Sequence, residues 1–238
     1  MSDLTRVNKV AIITAASQGM GAACARTLAA QGYKVVLMAR SERIIHLAKE
    51  SGGVGLQGSV TETDDLKRLV DLALASYGRI DAVVNNTGHA ASGELLVLSD
   101  DDWHAALDLL LLNVVRMSRL VTPIFESQGG GAMVNISTYG AKEPTPGYPI
   151  SSAIRAALSS FTKLYATRYA AAGIRMNNVL PGFIDSFPVD EATCAMIPMA
   201  RAGRVDEIAE TVAFLLSSGS GYITGQDILV EGGLTHAA

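Results

Sequence analysis

Val10-Ala11-Ile12-Ile13-Thr14-Ala15-Ala16-Ser17-Gln18-Gly19-Met20-Gly21 is a short apolar run that passes into a turn of small residues and then into a helix-forming stretch. The first four residues have the continuous apolar character of a strand covered on both faces. Gly21 to Ala30 is Ala-rich and stops before Gly32, a plausible helix end. Such a turn gathers backbone N–H groups at a helix N-terminus, where unpaired donors and the helix dipole favour a pyrophosphate. Gly19-x-Gly21 alone fits an unliganded strand-to-helix turn equally well. Its place in the first strand–helix unit of an alternating chain favours a nucleotide.

The alternation continues along the whole length. Val35-Val36-Leu37-Met38, Ala82-Val83-Val84, Met133-Val134-Asn135-Ile136, Met176-Asn177-Asn178-Val179-Leu180 and Ile228-Leu229-Val230 read as further buried strands. Between them lie helical patterns: Thr63–Tyr77 closed by Gly78, Trp103–Phe125 preceded by N-cap candidates at Ser99–Asp102, Ser151–Ala172 ending at Gly173, and Asp206–Ser217. Gly129-Gly130-Gly131 reads as a loop before a strand. This pattern predicts an α/β fold: a three-layer, doubly wound parallel sheet with right-handed crossovers, in a single domain spanning residues 1–238.

Composition removes several alternatives. The 238 residues carry 19 Lys and Arg against 23 Asp and Glu, a net charge of −4, and hydrophobic residues make up 49%. No basic patch for nucleic acid is indicated. The apolar stretch Leu109–Leu112 is too short to span a bilayer. Cys24 and Cys194, 170 residues apart, make neither a disulfide framework nor a zinc site, and no metal is expected. The start Met1-Ser2-Asp3-Leu4-Thr5-Arg6 lacks the order of a secretory signal, so a cytoplasmic protein is expected. After the second strand, Met38-Ala39-Arg40-Ser41 has no acid to bond a ribose 2′-hydroxyl. The planar donors of Arg40 suit a 2′-phosphate, which favours NADP and leaves NAD as the alternative.

Several motifs in order resemble the short-chain dehydrogenase/reductase family, from about Asn8 to Gly233. Thr14 to Gly21 is similar to the family's Thr-Gly-x-x-x-Gly-x-Gly turn, with Ala15 at the first glycine. Asn85-Asn86-Thr87-Gly88 resembles Asn-Asn-Ala-Gly. Asn113, Asn135-Ile136-Ser137-Thr138, the Pro181-Gly182-Phe183-Ile184-Asp185-Ser186 loop, Gly203-Arg204 with Asp206–Ala209, and Ile223–Gly233 follow in family order. The resemblance implies a Rossmann-like NAD(P)-binding domain with a substrate lid around 183–199. It also implies pairing of two long helices across a two-fold axis, giving a homodimer or homotetramer. The cofactor-binding positions it implies are Thr14, Ala16, Ser17, Gln18, Gly19, Met20, Arg40, Ser59, Val60, Asn86, Thr87, Gly88, Arg155, Pro181, Gly182, Ile184 and Ser186. Ser59-Val60 stands for the usual Asp-Val beside adenine.

The family's catalytic Tyr-x-x-x-Lys maps onto Ser151-Ser152-Ala153-Ile154-Arg155, because the serine-to-tyrosine spacing of 13 is also the spacing from Thr138 to Ser151. Of the four catalytic places, Asn113 alone is unchanged. In the family the phenol moves a proton while hydride passes between nicotinamide and substrate, and the lysine lowers the phenol's pKa. A serine hydroxyl is too weak an acid and too short for that task. Arg155 retains a charge for ribose hydroxyls or a phosphate, without a proton to give. Tyr148 and His89, with Tyr139 as a weaker third, are the replacement candidates. The implied function is a reductase of a small carbonyl, imine or activated alkene with a non-standard proton donor, such as water, one of these residues or the substrate itself. The alternatives are a catalytically inactive nucleotide-binding or regulatory protein on the same fold and, third, a non-redox lyase or isomerase.

Overall fold

The computed structural model describes residues 9–236; the polar start at Met1–Arg6 and Asn8, where the resemblance begins, lie outside the described residues. In chain order the first half comprises β1 (Val10–Ile13), α1 (Gly19–Ala30), β2 (Lys34–Ala39), α2 (Arg43–Glu50), β3 (Val54–Gln57), α3 (Thr63–Tyr77) and β4 (Ala82–Asn85). The second half comprises α4 (Asp100–Leu107), α5 (Asn113–Gln128), β5 (Gly131–Ile136), α6 (Pro149–Tyr169), β6 (Ile174–Pro181), α7 (Glu191–Met196), α8 (Val205–Leu216) and β7 (Asp227–Val230). The seven strands form one sheet in the order β3-β2-β1-β4-β5-β6-β7, with parallel pairing throughout. This is the doubly wound architecture expected from the alternation, and its order reverses between β1 and β4.

Successive side chains of each strand face opposite layers. Ile13, Leu37, Val84 and Val134 pack with α1 and α8, whereas Ile12, Met38, Val83 and Met133 pack with α3, α5 and α6. Each such fully buried aliphatic side chain contributes about 1.5–3 kcal/mol of transfer free energy, set against the entropy of ordering the chain. Two predicted helix stops are left-handed glycines, Gly78 at φ +73° and Gly173 at φ +74°. Ser99 accepts from the Asp102 N–H while the Asp102 carboxylate accepts from the Ser99 N–H, so the expected N-cap is a reciprocal capping box.

The structure corrects four expectations. The Trp103–Phe125 helix is interrupted by a π-helical turn at Asp108–Leu112, which separates α4 from α5. Gly131 belongs to β5 and not to the loop before it. α2 and α7 are additional helices, of eight and six residues, too short to show a helical period in the sequence. β3 is an additional strand of four residues at the sheet edge, where Gly55 interrupts an apolar run.

A polar row crosses the second half of the sheet on the α6 side. Asn85, Asn135, Asn178 and Asp227 are register partners on β4, β5, β6 and β7. Asn85 Nδ2 donates to Asn135 Oδ1 at 2.8 Å, Asn135 Nδ2 to Asn178 Oδ1 at 2.8 Å, and Asn178 Nδ2 to Asp227 Oδ1 at 2.7 Å. Thr162 of α6 donates to Asn178 Oδ1 and accepts from Asn135 Nδ2. The row ends at Lys142, whose Nζ lies 2.8 Å from Asp227 Oδ2. Buried amides satisfied in this way fix strand register, because a slipped strand leaves each of them unpaired.

Candidate active site

The strands β4, β5 and β6 end beside one another, and a cleft of about 670 Å³ lies beyond their carboxyl ends. This is where an open parallel sheet binds ligands, since the connecting loops diverge there. β4 delivers Asn86, Thr87, Gly88 and His89 to the cleft; β5 delivers Ser137, Thr138 and Tyr139; the start of α6 delivers Tyr148, Ser151, Ser152 and Arg155; β6 and its loop deliver Pro181, Gly182, Ile184 and Ser186. Met20, from α1, closes one end. The structure thus brings together thirteen of the expected site residues: Met20, Asn86, Thr87, Gly88, His89, Thr138, Tyr148, Ser151, Arg155, Pro181, Gly182, Ile184 and Ser186.

Within the cleft the chemical groups differ sharply. Ser151 and Arg155 are one helical turn apart on α6 and share its cleft-facing side. Arg155 is buried, and its Nη1 donates to the Ile136 carbonyl at 2.7 Å. Burial pushes its pKa down to about 10, which leaves it protonated at neutral pH. Tyr148, just before α6, is 53% exposed and available to a ligand. Tyr139 sits against Phe183 with ring centroids 5.9 Å apart, and burial raises its pKa above the usual phenol range. His89 meets Phe187 edge-on at 5.4 Å between ring centroids, bridging the β4 loop and the 183–199 segment.

Other expected residues lie outside the cleft. Thr14 is buried, and its hydroxyl donates to the Asn86 carbonyl at 2.7 Å and accepts from the Asn86 N–H at 2.9 Å. Ala16 is fully buried, with its N–H on the Met38 carbonyl. Both hold the first turn in place, so the structure gives them a supporting position rather than an open one. Asn113 follows the π turn; its Nδ2 donates to the Leu109 carbonyl, and its buried Oδ1 has no partner among the described residues. Ser59 Oγ bonds Thr61 Oγ1 at 2.8 Å, and Val60 is buried. Arg40 is exposed just after β2 and forms no ion pair among the described residues. Ser17, Gln18 and Gly19 form the turn into α1.

The first turn fits a dinucleotide. No side chain caps α1 and its first turn carries no acid, so its leading N–H groups keep their capacity for an anion. A Cβ at Gly21 would lie 2.6 Å from the Ala15 carbonyl and 2.7 Å from Asn86 Nδ2, so only glycine permits the close packing of turn, helix and β4 loop. Ala15 itself adopts φ +46°, a left-handed conformation that costs an L-residue about 1–2 kcal/mol. Thr87 Oγ1, at the cleft, is buried without a partner among the described residues. The sequence reading missed the unpartnered hydroxyls of Ser137 and Ser152, which also line the cleft. Serine in a mixed apolar stretch carries no local signal of that position. Phe187, Asp190 and Thr193 fall within the anticipated 183–199 segment without having been singled out.

Comparison with known proteins agrees with this geometry. The sequence profile of the family described as enoyl-(acyl carrier protein) reductase matches residues 14–235. The 3-oxoacyl-[acyl-carrier-protein] reductase FabG of Thermotoga maritima is 34% identical, over 95% of this chain and 97% of that protein. Dehydrogenase/reductase SDR family member 4 of Caenorhabditis elegans is 33% identical, over 95% of each. L-sorbose reductase from Gluconobacter frateurii, solved with NADPH and L-sorbose, superposes with a TM-score of 0.91 at 27% identity, covering 97% of this chain and 98% of its own. YwfH, an NADPH-dependent reductase involved in bacilysin biosynthesis, shares the fold at a TM-score of 0.92 and 24% identity, covering 97% of this chain and 100% of its own. Sheet order, cleft position and near-full-length similarity converge on one assignment: the chain belongs to the short-chain dehydrogenase/reductase family of oxidoreductases.

Proposed function

We propose that the protein is an NADP(H)-dependent reductase of a small carbonyl, imine or activated alkene, working with Ser151 and Arg155 at the places of the family's tyrosine and lysine. The observation that carries this reading is the single cleft in which Thr138, Ser151, Arg155 and the Pro181–Ser186 loop converge, with Tyr148 exposed in the same wall. NADPH would supply the hydride. The first turn and the N-terminus of α1 would hold its pyrophosphate, Arg40 its 2′-phosphate, and the Asn86–Gly88 and Pro181–Ser186 loops its nicotinamide half. The relatives support NADP through the sorbose reductase bound to NADPH.

Thr138 then orients the substrate oxygen, and Arg155 keeps a positive charge beneath it. Ser151 leaves the space that a larger side chain would fill. The Tyr148 phenol, exposed in the cleft wall, delivers the proton. The segment 183–199 covers the substrate through Phe183 and Phe187. Association of α5 and α6 across a two-fold axis completes a homodimer or homotetramer. A cytoplasmic setting is in keeping with described residues in which no helix is long and apolar enough to cross a membrane.

The decisive experiment follows NADPH oxidation against a panel of ketones, imines and enones, alongside calorimetric titration with NADP and NAD. Turnover with NADP preferred supports the reading; no binding of either dinucleotide overturns it. A second reading, an inactive nucleotide-binding protein, is favoured by one observation: a seryl hydroxyl at 151 cannot serve as the acid. Tight NADP binding with background turnover across the whole panel selects it.

A further inference from the structure

Arg155 has an unusual electrostatic setting. It is 7% exposed, yet it lines the cleft. One of its donors is spent on the Ile136 carbonyl, and among the described residues Nε and Nη2 make no hydrogen bond. No carboxylate pairs with it among the described residues. The one acid in the cleft wall, Asp190, is exposed and accepts from the Thr193 N–H at 2.8 Å. An unpaired buried cation is costly, and the compensating charge has to come from somewhere. The dinucleotide pyrophosphate is a poor source. It belongs over β1 and α1, whereas Arg155 is tied to the end of β5, two strands away and so about 10 Å distant. Ribose hydroxyls would fill donors without neutralising charge.

The geometry points to a substrate that carries a carboxylate, docked on the free Nε–Nη2 edge of Arg155. This rests on the reading of the cleft as a dinucleotide and substrate site. The guanidinium fork matches the two carboxylate oxygens with parallel N–H bonds. Ser151, one turn earlier on the same cleft-facing side of α6, is small enough to leave that edge open. The apolar part of the substrate would lie against Phe183, Ile184 and Phe187 of the cleft wall. The substrate class is therefore an oxo acid rather than a neutral ketone or sugar.

The test is calorimetric titration of the full chain, saturated with NADP+ so that no turnover occurs, with 2-oxo and 3-oxo acids of two to eight carbons. Each acid is paired with its neutral methyl ester. At least one acid is expected to bind tenfold or more tightly than its ester. Arg155→Met is expected to reduce that preference to within twofold, and Arg155→Lys to retain part of it, because an ammonium keeps the charge without the fork. Circular dichroism establishes that both variants fold, and the wild-type comparison of acid with ester needs no variant. If no acid outbinds its ester, or if the preference survives in Arg155→Met, the inference is overturned. Titrations with NADP+ alone, and with acids in its absence, separate this outcome from failure of the dinucleotide reading.

Discussion

The two halves of the sheet are built on different principles. β1 and β2, on one side of the order reversal, are packed by apolar side chains on both faces. β4 to β7, on the other side, carry the row Asn85–Asn135–Asn178–Asp227 at one level, immediately below the loops that line the cleft. Apolar packing tolerates small shifts, because dispersion and burial are not directional. A chain of amide hydrogen bonds does not, because each partner is left unsatisfied by displacement. The half proposed to hold a pyrophosphate through its backbone thus needs only a strand and a turn. The half that must place Thr138, Tyr148 and Arg155 relative to one another has its register pinned.

The largest effect that separates the halves comes from Asn135→Leu. It strips Asn85 of its acceptor and Asn178 and Thr162 of a donor, and is expected to cost about 3–5 kcal/mol, from unsatisfied groups at about 1–3 kcal/mol each. Urea unfolding reads this as a lowered midpoint at an unchanged slope. A cost no larger than that of an aliphatic deletion would erase the distinction between the halves. Next is Tyr148→Phe, which is expected to lower NADPH turnover roughly 100-fold while NADP affinity is unchanged. Wild-type turnover in that variant moves the proton donor elsewhere in the cleft.

Arg155→Met sharpens the contrast from the opposite side. Removing an unpaired buried charge is expected to stabilise the unliganded protein by about 1–3 kcal/mol, seen as a higher Tm. The pH dependence has a definite sign. The folded pKa of about 10 lies below the ordinary arginine range, so the folded state releases this proton first. The contribution of Arg155 to stability therefore rises with pH through that interval, and the methionine variant lacks the rise. The smallest effects belong to the apolar half. Ile13→Val is expected to cost about 0.5–1.5 kcal/mol. Ala15→Gly, which relieves the φ +46° turn, is expected to add about 0.5–1 kcal/mol after the extra entropy of glycine is subtracted. Thermal unfolding checks both.

Much of this was legible in the residues. Val10–Ile13, the turn to Gly21, the helix stops at Gly78 and Gly173, and the spacing that puts Ser151 and Arg155 one turn apart are local patterns, and local patterns are written in sequence. α2, α7 and β3 were not, because eight, six and four residues are too few to show a period. The π turn before Asn113 was hidden too, since Leu109–Leu112 suits an α-helix equally.

The sequence by itself determined the alternation of strands and helices, the nucleotide-type first turn and the presence of a serine and an arginine one turn apart on α6. Only the tertiary structure decided that the asparagines form one row and that Arg155 is buried beside a cleft without a counter-charge among the described residues. The row joins residues 50, 43 and 49 positions apart along the chain. The physical reason is the register of a parallel sheet. Each such contact exists only after a helical crossover has been folded back, and no local sequence period encodes where that return will land.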